Sequence, residues 1–183
     1  MPHSAGQELW QDAAAFSARA HLGQIRKDGA TPYASHPARV ALTLRHIFGC
    51  EDDVAIAAAF LHDTIEDTAT DYDDLEEAFG VEVADIVASL TKNMMLPEAQ
   101  REPEYDARLA AGDWRARLIK LADVYDNLSD MRTRTAGDMP DIIARHLTRC
   151  DRALELARPD ASAHPESARA IELVQQAMAR VRG

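Results

Sequence analysis

The chain has 183 residues, enough for one domain of ordinary size, and 46% of them are hydrophobic, so a core forms without disulfides or a structural zinc. Its net charge is -11, which excludes a general binder of long nucleic acids, because phosphate contacts need clustered Lys and Arg. No window approaches the roughly 18 apolar residues of a membrane span. With no basic-then-apolar leader and two isolated cysteines, Cys50 and Cys150, a cytoplasmic protein is expected.

Ala, Leu and charged residues dominate while aromatics are scarce at 5%, a composition that favours helices. From Glu8 to Arg26 the residues Leu9, Ala13, Phe16, Ala20 and Ile25 form a rough helical stripe. Pro37 to Phe48 predicts a second helix with Pro37 in its first turn, and Asp53 to Leu61, almost wholly apolar, a buried one. An acidic helix follows over Tyr72 to Phe79, ended by Gly80, and then another marked by Val83, Ile86, Val87 and Leu90. Leu96 to Glu104 holds two prolines and is expected to be a loop. Leu118 to Met131 predicts a long central helix; after Gly137 and Pro140 come helices through Ile142–Leu154 and Ile171–Val181, joined by a turn at Pro159, His164 and Pro165. No alternating β-branched run appears. The expected fold is all-α, a compact single-domain helical bundle with a core of about residues 20–157 and the C-terminal helix packed on it.

Chemistry concentrates in His62-Asp63-Thr64-Ile65-Glu66-Asp67, which ends the apolar helix. If helical geometry persists, His62 lies over Glu66 and Asp63 over Asp67. An imidazole and a carboxylate from neighbouring positions suit a divalent ion, and carboxylates beside a core cost energy unless a cation or donors compensate. Two further segments carry the same residue types: Arg26 to Pro37, containing Lys27, Tyr33 and His36, and Arg117 to Leu128, containing Asp123 and Asn127.

These blocks, together with Leu90-Thr91-Lys92, resemble in order and spacing the hydrolase domain of the RelA/SpoT family, whose metal sites are of the HD type, and more closely its small stand-alone members. The resemblance spans about Ala20 to Met131. It implies a single Mn²⁺ held by His36, His62, Asp63 and Asp123, and hydrolysis of the 3′-diphosphate of ppGpp and pppGpp. It also implies that Glu66 and Asp67 handle the attacking water, and that Arg26 and Asn127 contact the nucleotide. Lys27, Tyr33 and Lys92 are further candidates for substrate contact, and Lys120, Arg115, Arg117 and Arg132 for neutralising a polyanion. Trp10 and Trp114 are expected to pack helices, while His21 and His164 show no partner in the sequence. Where long family members carry a basic residue and a His, this chain has Val124 and Asp126; the second is expected to add negative charge near the substrate. Competing readings are a phosphatase acting on NADPH or on nucleoside monophosphates, and a sensor that binds a nucleotide without turnover. A homodimer is left open.

Overall fold

The computed structural model describes residues 8–131 and 139–182; Arg132 and Gly137 lie outside them. Among the described residues the fold is all-α, its only β feature an isolated bridge between Ile25 and Pro32. No helix among these residues is long and apolar enough to cross a membrane.

Helix α1 (Leu9–Ala20) starts at a capping box formed by Glu8 and Gln11 and stops earlier than its stripe suggests. The chain turns through Gly23, whose φ of 81° suits glycine, and Ile25 is half-exposed rather than part of the helical face. Helix α2 (Ser35–Leu42) carries Pro37 in its first turn and widens into a π turn over Thr43–Phe48, ended by Gly49 at φ 83°. Asp52 caps α3 (Asp53–Leu61) by accepting the Ala55 N–H at 2.8 Å, and six of the nine α3 residues are buried. Helix α4 (Thr64–Asp67) is a single turn; α5 (Tyr72–Phe79) and α6 (Val81–Leu90) are separated by Gly80.

The expected loop around Pro97 and Pro103 is instead largely helix: α7 runs Glu98–Ala111 with Pro97 at its N-cap. Pro103 lies past the first turn, so its missing N–H loses the bond to the Ala99 carbonyl. Burial of Tyr105 and Leu109 offsets that loss. Helices α8 (Trp114–Met131), α9 (Met139–Ala157) and α10 (Pro165–Arg182) follow, with a short 3₁₀ segment at Arg158–Ser162.

Helices α3 and α8 are the axis of the molecule. Helix α3 touches α1, α2, α6 and α8, whereas α8 packs on α2, α9 and α10. Leu44, Leu61, Leu118, Ile119 and Leu121 are fully buried between these elements, each worth about 1.5–3 kcal/mol of apolar transfer. Packing α2, the end of α3 and α8 together brings three distant stretches of chain to one place. Trp114, as expected, packs: its ring stacks on His164 at 3.8 Å, so His164 has a partner after all.

Candidate metal centre and active site

His36 enters from the first turn of α2, His62 caps the C-terminus of α3, Asp63 begins the turn into α4, and Asp123 sits mid-way along α8. Ligand atoms of His36, His62 and Asp123 lie within 4.8 Å of one another. Asp63 joins them: its Oδ2 is 3.5 Å from His36 Nε2 and 3.2 Å from His62 Nε2, while His36 Nε2 is 3.3 Å from Asp123 Oδ1. All four residues named from the sequence therefore converge.

The donor set fits a divalent cation. His62 Nδ1 bonds the carbonyl of Ala59 at 2.8 Å, which directs Nε2 toward the cluster. That Nε2 is buried and has no aligned hydrogen-bond partner, although Asp63 is close. A buried polar atom without a partner is costly, and a cation facing two imidazoles and two carboxylates removes the cost.

Electrostatics point the same way. Burial works against a charged His36, yet hydrogen bonds to Asp123 and Asp126 lift its pKa to about 9. His62 is raised too, burial being outweighed by Asp63. Burial also opposes charge on Asp123, but Lys120 Nζ at 2.8 Å and the nearby His36 hold its carboxyl well below the usual range. The carboxylates that raise the proton affinity of both imidazoles are the same groups that a cation would face.

Helical geometry breaks at His62, where α3 ends, and resumes at once: the Asp67 N–H donates to the Asp63 carbonyl at 2.9 Å, so Asp63 and Asp67 do lie one turn apart. Tyr33 joins them, its hydroxyl donating to Asp63 Oδ2 at 2.6 Å and to Asp67 Oδ2 at 3.1 Å. Its ring packs between His21 and His36. His21, expected to lack a partner, thus backs the tyrosine and also bonds Gln24 at 2.8 Å. Glu66 Oε2 accepts the Lys92 backbone N–H at 2.9 Å. Burial raises the pKa of Glu66, helped by Asp63 and Asp67, against the Lys92 N–H.

These groups open onto a cleft of about 460 Å³ that Arg26, Lys27, Tyr33, Lys92 and Asn127 also line. Several are already engaged. Asn127 Nδ2 donates to Asp123 Oδ1 at 2.6 Å, Lys92 Nζ to Glu102 Oε1 at 2.7 Å, and Arg26 pairs with Asp130. The loop beside Arg26 is closed by Asp28, which accepts the backbone N–H groups of Ala30 and Thr31, both at 2.9 Å.

Among the described residues, Lys120 alone of the other cations named from the sequence reaches the cleft. Arg115 is held by Asp52 and Glu82, and Arg117 by Asp160. In their place stand Arg149 and Arg152 of α9, which the sequence did not single out, with His146 beside them. Arg152 is tied to Glu102 and Asp106, whereas Arg149 is exposed and forms no ion pair among the described residues. Their i,i+3 spacing on one helix face was the available signal. Asp126 also departs from expectation: it does not line the cleft but is buried behind His36, against Arg39.

Residues 13–149 match the HD domain family. The chain is 42% identical over 125 residues to the human guanosine-3′,5′-bis(diphosphate) 3′-pyrophosphohydrolase MESH1, covering 68% of this chain and 70% of that one. It is 39% identical over 124 residues to the corresponding enzyme of Aquifex aeolicus, covering 66% of this chain but 17% of that much longer one. A solved structure of a metazoan SpoT orthologue, described as hydrolysing ppGpp, aligns with a TM-score of 0.74 at 26% identity, over 94% of this chain and 97% of that one. With its fold, its residue order and two thirds of its length shared with them, the chain belongs to the HD-domain family, in the branch of the small stand-alone relatives of SpoT.

Proposed function

We propose that the chain hydrolyses the 3′-diphosphate of ppGpp and pppGpp, releasing pyrophosphate and GDP or GTP, with one Mn²⁺ held by His36, His62, Asp63 and Asp123. The observation that carries this reading is the convergence of His36, His62 and Asp123 within 4.8 Å, with Asp63 against both imidazoles, beside Glu66 and Asp67 at the floor of a cleft. Relatives bearing that activity in their names support the choice of substrate.

Bound there, the cation supplies positive charge that acidifies a nearby water and offsets charge building on the phosphoryl group. Glu66 is suited to take the water's proton: the Lys92 N–H fixes one carboxylate oxygen, and burial raises its affinity for a proton. The water oxygen forms a bond to the 3′-phosphorus, the bond from phosphorus to O3′ breaks, and O3′ becomes a hydroxyl by taking up a proton from solvent, which balances the one Glu66 accepts. Asp67, steadied by Tyr33, helps place the water. Asn127 and Lys120 hold the two oxygens of Asp123. Lys27 and Arg149, together with Lys92 once released from Glu102 and Arg152 once released from Glu102 and Asp106, neutralise the substrate's phosphates in an otherwise acidic protein. Arg26 and Tyr33 flank the nucleoside.

The test is a rate comparison on the purified chain with Mn²⁺, offering ppGpp, NADPH and deoxynucleoside monophosphates. Pyrophosphate released fastest from ppGpp supports the proposal. Faster phosphate release from another substrate replaces it, and binding of ppGpp with no turnover of anything favours a sensor.

A further inference from the structure

Resting on that metal centre, we infer that Asp126 is a positioning residue for the cation: with Arg39 as its counter-ion, it holds the His36 imidazole so that Nε2 faces the site.

Asp126 lies three residues after Asp123 on α8, roughly 60° around the helix from it, and its side chain meets His36 and Arg39 of α2 instead of lining the cleft. It is 4% exposed. Both carboxylate oxygens are used: Oδ2 is 2.7 Å from His36 Nδ1 and accepts Arg39 Nη2 at 2.8 Å, and Oδ1 accepts Arg39 Nε at 2.7 Å. This is a two-pronged guanidinium–carboxylate pair with an imidazole on the same carboxylate. Arg39 follows His36 by three residues, so one face of α2 presents both partners to Asp126. Arg39 Nη2 also donates to Asp130 Oδ1 at 2.6 Å one turn further along α8, and Asp130 pairs with Arg26 at the cleft.

The arrangement fixes His36 from both ends. One ring nitrogen is committed to Asp126, so the other is directed to Asp123 and Asp63, at 3.3 and 3.5 Å. Carboxylates in this relation to a metal-binding imidazole set its ring orientation and strengthen it as a donor. A buried carboxylate used only to brace two helices carries the same desolvation cost without needing the imidazole. Arg39 answers that cost and leaves the bond to His36 as the feature requiring an explanation.

The experiment measures Mn²⁺ affinity by calorimetric titration of the full chain and of D126A, D126N and R39A, with far-UV dichroism of each metal-free protein to confirm folding. D126A should bind Mn²⁺ about 10–100-fold more weakly, and excess Mn²⁺ should recover most of its lost turnover because the deficit lies in loading. R39A, which keeps the bond to His36, should lose less. A folded D126A that binds Mn²⁺ within twofold of the parent overturns the inference. If D126A does not fold, the near-isosteric D126N decides: weakened binding supports the assignment and parental affinity overturns it. A parent chain that binds no Mn²⁺ fails the metal reading itself, and this inference with it.

Discussion

Lys120 offers a test of the metal site that does not need substrate. Its Nζ lies 2.8 Å from Asp123 Oδ2, with the two side chains 20% and 14% exposed. Replacing the lysine with methionine keeps an apolar side chain of similar length and removes the charge, and with it the approach of Nζ to the Tyr105 ring. Breaking a buried pair by removing one partner costs about 3–5 kcal/mol. The residual exposure of Lys120 and the bonds Asp123 retains to Asn127 and His36 bring this to about 2–3 kcal/mol. For a chain of this length that is a fall of roughly 4–12 °C in Tm. A cation at Asp123 takes over the role of the lysine, so saturating Mn²⁺ should narrow the gap between variant and parent by at least half. Linkage then requires K120M to bind Mn²⁺ more tightly than the parent, by the same free energy. Thermal melts with and without Mn²⁺ read both quantities. A gap that stays constant or widens in Mn²⁺ would refute Asp123 as a ligand.

Further outcomes follow from the same geometry. E66Q should lower turnover about 10²–10⁴-fold while ppGpp binding, followed by calorimetry, stays near that of the parent; weakened binding with turnover intact would remove Glu66 from the proton step. Mn²⁺ binding displaces the proton that His36 holds up to about pH 9, so apparent affinity should rise at least about tenfold per pH unit below that value, more steeply where His62 also gives up a proton, and level off above it; a flat profile would contradict it. The sign for stability is opposite. A raised folded-state pKa stabilises the metal-free chain fully below pH 6.5, and that contribution fades as pH rises through about 9. R149A should raise KM for ppGpp about 3–10-fold with kcat within twofold, since an exposed arginine contributes less than a buried one; an unchanged KM would take Arg149 out of the substrate site.

Much of the centre was legible in the sequence because its chemistry is local. His62, Asp63, Glu66 and Asp67 fall within six residues at the end of an apolar helix, and helical spacing alone places Asp67 one turn from Asp63. What escaped depends on which helix faces which. Arg149 and Arg152 reach the cleft only because α9 packs along α8 near α7, a long-range arrangement no local pattern encodes. Arg115 and Arg117 looked equally eligible until their carboxylate partners on other elements came into place. Asp126 is expected from the sequence to add negative charge near the substrate, since it lies close to Asp123 in the chain, but its carboxylate is buried against His36 and Arg39. Two prolines obscure helix α7 in the sequence: Pro97 sits at the N-cap, outside the helix, and the local penalty of Pro103 is outweighed by burial of Tyr105 and Leu109. Helix α1 was drawn too long because Ile25 continues the apolar spacing beyond the turn at Gly23.

The central claim is that α2, the end of α3 and α8 together grip one cation. Crystals of the chain grown with Mn²⁺, with diffraction recorded at the manganese absorption edge, test it directly. The account predicts a single anomalous peak within bonding distance of His36 Nε2, His62 Nε2 and the carboxylates of Asp63 and Asp123. A map with no peak among those four side chains, or with the metal bound elsewhere, would contradict it.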